Sequence, residues 1–174
     1  MPTRFLRLLP LLFVLSCTAI PGTAPQSSAP AQVTAWPVYL RHDLYPEWID
    51  ANAEVRWPPH DGCMSDPAPV TVPPGTEIDR FGGETGSFFS PKGESFAARA
   101  VPYVCRQMVY TVYRVAKPLA VRSCKAAPWF GQPGGAMQYQ TPQTAQQLRE
   151  TGAIEVLRTE IPENARAAPQ CAGP

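Results

Sequence analysis

The amino-acid sequence predicts an α+β fold of short strands with a few short helices, stabilised by disulfides. Proline accounts for 22 of the 174 residues, and because each proline removes a backbone donor and fixes φ, an all-helical fold is not expected. Runs rich in β-branched and aromatic residues in the C-terminal half indicate strands. The third observation is an even number of cysteines after an export-type N-terminus, which favours disulfides.

Residues 1–24 have the pattern of a signal peptide, with two arginines ahead of an apolar run at 8–16 and small residues after it. That run is too short to cross a bilayer as a helix and no comparable run follows, so we expect no membrane span. The sequence before Cys17 loosely fits a bacterial lipoprotein signal ending at Ser16, which leaves a lipid anchor on Cys17 open. The chain is therefore expected to be secreted or surface-bound.

Residues 25–34 contain little that could be buried and predict a linker. The length that remains suits one domain, expected at 35–160, followed by a tail at 161–174. Lys and Arg number 15 against 14 for Asp and Glu, with no run of like charge. Neither nucleic acid nor an anionic membrane is therefore indicated as a partner.

The elements of the domain can be predicted in chain order. Residues 35–57 hold enough apolar and aromatic side chains to dock on a core, which predicts a short helix and a loop. A helix is expected to begin at Thr141, run through Leu148 and end at a cap on Gly152. Strands are predicted where β-branched and aromatic residues concentrate. They are residues 70–72, 108–115, 119–122 and 154–157.

The cysteines of the domain and tail predict two disulfides among Cys63, Cys105, Cys124 and Cys171. Three pairings are possible, and the sequence does not select one. No metal site is expected, because no CxxC or clustered His accompanies the cysteines and the tail lacks the clustered carboxylates of a calcium site.

Segments 75–82, 86–91, 95–102 and 127–139 interleave glycines, aromatic rings, arginines and glutamines. This mixture suits a dinucleotide. Aromatic faces stack on flat rings, guanidinium forks pair with pyrophosphate, glycine lets the backbone approach, and amides bind ribose hydroxyls.

The same segments carry a resemblance. Trp57-Pro58-Pro59 followed by Pro74-Gly75-Thr76-Glu77-Ile78-Asp79-Arg80-Phe81-Gly82 resembles the opening of the NAD-cleaving domain of the tuberculosis necrotizing toxin family, which includes exported fungal NADases. The remaining matches follow in the family's order between residues 50 and 157. They are Phe88 with Ser90-Pro91, Arg99-Ala100-Val101-Pro102, residues 113–119, residues 127–134, and Gln138-Tyr139.

The resemblance implies a small antiparallel sheet with flanking helices that hydrolyses the nicotinamide–ribose bond of NAD, and by extension of NADP. NAD is then a substrate, and no cofactor is expected. Nicotinamide leaves as a neutral molecule, so no general acid is needed, unlike ordinary glycoside hydrolysis. The site must instead position the substrate and favour a cationic ribose. An immunity protein and a second copy of the chain stay open as partners.

The resemblance also implies roles for individual residues. Gln138, Arg80 and Phe88 would be catalytic, with Gln138 nearest the reacting ribose, Arg80 at the phosphates and Phe88 near the nicotinamide. The substrate-binding positions it implies are Arg99, Phe81 and Trp129. Without the family, Asp79 and Arg80 would be interpreted as an ion pair, and Arg99 as a solvated helix position.

Thr111 departs from the family, because a His is expected at this position. The departure motivates one alternative, an inactive NAD-binding or interaction module. An ADP-ribosyltransferase is the other, although such enzymes usually rely on a catalytic Glu and no convincing Glu motif is present. Asp79 and Glu84 are the carboxylates nearest the site in sequence, and both could equally be turn or capping residues.

Overall fold

The computed structural model of the chain describes residues 36–161 and Cys171. The predicted signal peptide at 1–24 and linker at 25–34 lie outside the described residues, as does most of the predicted tail. In the described part, no helix has the length and apolar character needed to cross a membrane.

A seven-stranded antiparallel sheet forms the centre of the described structure, in the order β1-β5-β6-β3-β2-β4-β7. The strands are β1 Ala68–Val72, β2 Glu77–Phe81, β3 Phe88–Pro91, β4 Tyr110–Val115, β5 Leu119–Lys125, β6 Met137–Gln140 and β7 Ile154–Glu160. Within residues 36–161 the structure has one α-helix, α1 Ala145–Glu150. Single 3-10 turns lie at His42–Leu44, His60–Gly62, Ala97–Arg99 and Cys105–Gln107. The fold is thus mostly antiparallel β, and the α+β prediction is only roughly right.

The strands predicted from β-branched and aromatic residues are all present, as β1, β4, β5 and β7. The patterning did not indicate β2, β3 and β6. In β2 the reason is that Asp79 and Arg80 are polar and yet buried, so the strand lacks the alternation of a half-exposed strand. β3 and β6 have four residues each, which is too short for a periodic signal.

The predicted start of the helix at Thr141 is wrong. Thr144 is the N-cap, and it forms a capping box with Gln147, in which each side chain bonds the other residue's backbone N–H. Thr141 is buried instead, with its Oγ1 3.1 Å from the carbonyl oxygen of Ser87. A threonine does cap the helix, as expected, but it is Thr144 and not Thr141.

Two apolar clusters stabilise the described part. The larger one lies between the sheet and α1 and consists of Val72, Ile78, Phe89, Tyr113, Val115, Leu119, Val121, Ala145, Leu148 and Ile154. The smaller one contains Leu40, Leu44, Ile49 and Phe130, with Trp36, Trp48 and Trp129 among the rings around it. Residues 36–57 therefore dock on a core as expected, through a 3-10 turn and a loop.

Both predicted disulfides are present, and the structure resolves their pairing as Cys63–Cys124 and Cys105–Cys171. The first bond joins the loop before β1 to β5, and Cys63 also pairs with Ala126 in an isolated bridge. The second joins the chain just before β4 to the C-terminal tail.

The loop between β5 and β6 returns on itself, so that Gly135 N–H donates to the carbonyl oxygen of Ala126 at 2.8 Å. Gly134 has a φ of +66°. A Cβ on Gly134 would lie 2.6 Å from the Ala126 carbonyl oxygen, a backbone atom that cannot move aside. This close approach fixes where β6 begins.

We predict that Gly134→Ala destabilises the protein more than Gly131→Ala. Gly131 has the same φ of +66°, but a Cβ there would meet only the Trp48 ring, at 3.8 Å. Both variants carry the left-handed backbone cost of roughly 1–2 kcal/mol, and only Gly134→Ala adds a clash with backbone. Denaturant unfolding measures the difference. Equal losses in the two variants would contradict this account of the loop.

Candidate active-site cleft

A cleft opens where β2 and β3 stop pairing. The two strands pair only at Ile78 with Pro91 and at Asp79 with Ser90, although β2 continues to Phe81 and β3 begins at Phe88. The Arg80 side chain enters the resulting gap, and its Nη1 donates to the Phe88 carbonyl oxygen at 3.2 Å. A side-chain hydrogen bond thus takes the place of the missing backbone ladder.

The cleft itself has a volume of about 90 Å³, and about 500 Å³ when the open solvent above it is counted. It is therefore a shallow groove open to solvent, in which a ligand would be partly exposed. The residues lining it come from β2, β3, β6 and the loops that precede β4 and β6. They are Arg80, Phe81, Phe88, Phe89, Ser90, Arg99, Val101, Tyr103, Ala126, Ala136, Met137 and Gln138.

The Arg80 guanidinium is the electrostatic centre of the cleft. Arg80 is 7% exposed, and no carboxylate lies within salt-bridge distance of it among the described residues. Burial lowers the pKa of the guanidinium, which nevertheless stays protonated at neutral pH because an arginine pKa is so high. Its Nε also has no hydrogen-bond partner in the part of the chain that the structure describes. A buried cation without a carboxylate is costly, and it would be relieved by a bound anion.

Gly86 makes room for this guanidinium. A Cβ on Gly86 would lie 2.2 Å from Nη2 and 2.7 Å from Cζ of Arg80. No residue with a side chain fits at position 86 unless the guanidinium moves. Segment 86–91 therefore contributes two features to the site. One is the Phe88 ring, and the other is a glycine that lets the backbone approach the Arg80 guanidinium.

Arg99 has a different environment from Arg80. Its Nη2 lies 2.6 Å from Oδ1 of Asp79, with the two side chains 9% and 0% exposed. The guanidinium also lies over the Phe81 ring, 5.0 Å from the centroid. Arg99 is thus a half of a buried ion pair, and the interpretation of this residue as a solvated helix position is wrong.

Asp79 does not pair with Arg80, so the interpretation of these neighbours as an ion pair is also wrong. Consecutive residues of a strand point to opposite faces, and Asp79 faces Arg99. Its Oδ2 accepts from the Tyr110 hydroxyl at 2.8 Å and from Gly93 N–H at 3.1 Å. Burial, followed by the bond to Asp79, raises the pKa of Tyr110. Oδ2 of Asp79 is thus satisfied, whereas Oδ1 has the Arg99 charge beside it but makes no hydrogen bond to a described residue.

Glu84, the other carboxylate close in sequence, is bound to Arg149 by a pair of hydrogen bonds of 3.0 and 3.1 Å. It is not among the residues lining the cleft. Both carboxylates considered from the sequence are therefore engaged with arginines.

The two phenylalanines predicted for the site both line the cleft. Phe88 is 41% exposed, so its ring is available to a ligand. Phe81 packs edge-on against Phe96 and tilted against Tyr110, with both centroid distances 4.8 Å. Phe88 is thus the more accessible ring, whereas Phe81 joins the cleft wall to the aromatic packing beneath it.

Gln138 projects from β6 at the other side of the cleft. Its Nε2 donates to the Asp61 carbonyl oxygen at 2.9 Å, and it lies 3.8 Å from each sulfur of the Cys63–Cys124 disulfide. Its Oε1 makes no hydrogen bond to any described residue. The amide can therefore accept a hydrogen bond from a ligand.

Trp129 is the predicted site residue that the structure does not bring to the cleft. Its indole N–H donates to the Arg56 carbonyl oxygen at 3.0 Å, and its ring packs on the smaller apolar cluster. This geometry favours packing over substrate contact.

Tyr103, which the sequence interpretation missed, lines the cleft, and burial raises its pKa. The sequence could have indicated this residue, because Tyr103 directly follows the segment Arg99–Pro102 that resembles the family.

The fold and the cleft together define a class: a small antiparallel-sheet domain with disulfides and an aromatic groove centred on a buried cation. Residues 71–157 match the family model described as tuberculosis necrotizing toxin, and the chain belongs to this family. The resemblance noted in the sequence is therefore confirmed.

A curated relative is the conidial surface nicotinamide adenine dinucleotide glycohydrolase nadA of Aspergillus fumigatus, 33% identical over 106 residues. The match covers 53% of this chain and 45% of the relative, so the chain spans less than half of that protein's length.

Among solved structures, tuberculosis necrotizing toxin complexed with its immunity factor IFT matches with a TM-score of 0.51 and 19% identity. The match covers 59% of this chain and 62% of that one, and it shows a shared fold alone. Tse6 in complex with Tsi6 matches at a TM-score of only 0.33, with 20% identity over 52% of this chain and 71% of that one, and carries no argument.

We predict that Asp79→Asn lowers the free energy of unfolding by about 3–5 kcal/mol, because it leaves the Arg99 charge buried and unpaired. Glu77→Gln is the matched control on the same strand. Glu77 pairs with Lys92 at the surface, with side chains 40% and 43% exposed, so its loss should cost less than about 1 kcal/mol. Urea denaturation of both variants tests this, and similar losses would rule out a dominant role for the buried pair.

Proposed function

We propose that this chain is an NAD glycohydrolase that cleaves the bond between nicotinamide and ribose, giving nicotinamide and ADP-ribose. The observation that carries the proposal is the buried Arg80 guanidinium, without a carboxylate partner among the described residues, in a groove that also presents an exposed aromatic ring and an amide oxygen. Membership of the family and the name of the fungal relative support the same activity.

The arrangement suggests how a dinucleotide would bind. The pyrophosphate would pair with Arg80, since a guanidinium fork matches phosphate oxygens. The nicotinamide ring would stack on Phe88, whose ring is available. Arg99, already paired with Asp79, would shape the groove through Phe81 and not supply free charge.

The reaction needs little acid–base chemistry. The C1′–N bond breaks and its electron pair leaves with nicotinamide, which departs as a neutral molecule. Water then forms the new C1′–O bond and releases a proton to solvent. The oxocarbenium-like ribose would lie close to the Gln138 amide, whose oxygen would accept a hydrogen bond from a ribose hydroxyl or the attacking water. Catalysis would thus rest on positioning and fixed dipoles.

We further propose that the protein acts outside the cytoplasm of the cell that makes it, as a toxin, an effector or a surface enzyme. The two disulfides support an oxidising compartment, and the N-terminal pattern supports export. NADP would be a second substrate, because the proposed contacts involve the nicotinamide half and the pyrophosphate, which NAD and NADP share.

The test is to incubate the purified protein with NAD and separate the products. Free nicotinamide together with equimolar free ADP-ribose supports hydrolysis. Transfer of labelled ADP-ribose to a protein acceptor would instead identify a transferase, and unchanged NAD would identify a binding module.

We predict that Gln138→Ala lowers kcat by about 100-fold or more, the usual effect of removing a preorganised polar group beside developing charge. Arg80→Ala should mainly raise KM, because it removes the partner of the pyrophosphate. Gln140→Ala is the matched control: it lies on the same strand, pairs with Phe88 in register and does not line the cleft. Steady-state kinetics on the folded variants measure these changes. Retained turnover in both Gln138→Ala and Arg80→Ala would refute the roles proposed for these two residues.

We predict that Gly86→Ala lowers kcat/KM at least tenfold, because it displaces the Arg80 guanidinium and small misplacements of binding groups are costly. Gly83→Ala in the same loop is the control, since a Cβ there has no atom within 4 Å. The ratio of the two kcat/KM values is the measurement. A Gly86→Ala enzyme as active as Gly83→Ala would show that the position of Arg80 does not matter.

A further inference from the structure

We propose that the Cys63–Cys124 disulfide is a positioning element of the cleft, which holds the loop His60–Gly62 and the Gln138 amide in the orientation that catalysis requires. The inference rests on the proposed NAD glycohydrolase function. It assigns to one of the two disulfides a role beyond stability.

The contacts of Gln138 fix which way its amide points. A backbone carbonyl can only accept a hydrogen bond, so the amide nitrogen must face the Asp61 carbonyl oxygen, 2.9 Å away. The same nitrogen lies 3.8 Å from Cys63 Sγ and 3.8 Å from Cys124 Sγ. The amide oxygen is then left for the substrate. The disulfide and the Asp61 carbonyl thus form the surface that the amide nitrogen of Gln138 contacts.

The loop that supplies this carbonyl has an unfavourable backbone conformation. His60 and Asp61 both have a φ of 54°, in the left-handed region that residues with a Cβ rarely adopt. Such a conformation persists only when its surroundings hold it. The bond from Cys63, the residue directly after the loop, to Cys124 on β5 supplies a covalent restraint beside the hydrogen bond from Ala127 N–H to the Gly62 carbonyl oxygen at 2.7 Å.

Register explains why Cys124 is beside Gln138. Cys124 on β5 pairs directly with Gln138 on β6, so the two side chains lie on the same face of the sheet. Both cysteines are 7% exposed. The disulfide is therefore a rigid, buried wall against the amide.

The second disulfide is a close control. Cys105–Cys171 has a sequence separation of 66, against 61 for Cys63–Cys124. Because the entropic effect of a cross-link on the unfolded chain depends on the length of the closed loop, the two should stabilise the fold to a similar degree. Neither sulfur of Cys105–Cys171 makes a hydrogen bond to a cleft-lining residue within the described ranges.

The experiment compares Cys63→Ala/Cys124→Ala with Cys105→Ala/Cys171→Ala in the full chain, using NAD kinetics and denaturant unfolding. We expect both pairs to lower stability similarly. Only the first should lower kcat, by at least tenfold, with a smaller change in KM because Arg80 and Phe88 keep their places. A folded first variant with wild-type kcat, or equal loss of kcat in both variants, would overturn the proposal.

Two further measurements keep the test decisive. If the first variant does not fold, the kinetics are repeated in a stabilising osmolyte such as sucrose, which favours the compact state. The folded Cys63→Ala/Cys124→Ala protein should then have a kcat at least tenfold below that of Cys105→Ala/Cys171→Ala, and an equal kcat in the two variants would oppose the inference. NMR of the Gln138 side-chain amide tests positioning separately from the NAD glycohydrolase function. Loss of the nuclear Overhauser contacts between the Gln138 amide protons and the 61–62 backbone only when Cys63–Cys124 is removed supports positioning even if the wild-type protein leaves NAD intact. Unchanged contacts contradict it.

Discussion

The Arg80 guanidinium lies in the gap between β2 and β3, and the architecture of the cleft follows from this placement. Its bond to the Phe88 carbonyl oxygen holds together strands that have stopped pairing. Its volume requires glycine at position 86. Its charge cannot be neutralised by the preceding residue, because the alternation of a strand turns Asp79 to the opposite face. A single buried cation thus determines the split in the sheet, a backbone requirement and the charge of the groove.

The two arginines of the cleft separate stability from function. Arg99 is neutralised by Asp79, whose hydrogen bonds come from Tyr110 and Gly93, and this buried ion pair mainly maintains the fold. The Nε of both arginines makes no hydrogen bond to a described residue, so the two differ in their charge partner. Arg80 has no such partner among the described residues, so no carboxylate offsets the desolvation penalty of its buried charge. An unsatisfied charge in an open groove is the arrangement expected where an anionic substrate completes the site. The family resemblance implied substrate contact for both arginines, and their environments distinguish them.

The sequence predicted the strands whose side chains alternate or cluster and the number of disulfides, and five of its six site residues line the cleft. It did not indicate β2, because a strand that buries Asp79 and Arg80 together has no apolar signature. It placed the helix N-cap at Thr141, because two threonines with similar local context compete and only tertiary packing buries one of them. Trp129 was expected in the wall of the cleft and packs on the smaller apolar cluster instead, because aromatic rings are equally common in cores and in clefts. Pairing of the cysteines depends on which loops and strands the tertiary fold brings together, because only Cys124 lies on a strand, and single-sequence patterns do not encode that arrangement.

Thr111 is the departure from the family that bears most directly on activity, and its position limits what that departure can mean. It pairs in register with Arg80 on the neighbouring strand β4, and its Oγ1 lies 3.3 Å from Oγ1 of Thr159 on β7. Thr111 is buried and is not among the residues lining the groove. Threonine at this position therefore supplies no group to the surface that a dinucleotide would touch. Because directly paired residues share a face of the sheet, the influence of this position would be exerted on Arg80 beside it, and so on the positioning of the phosphates.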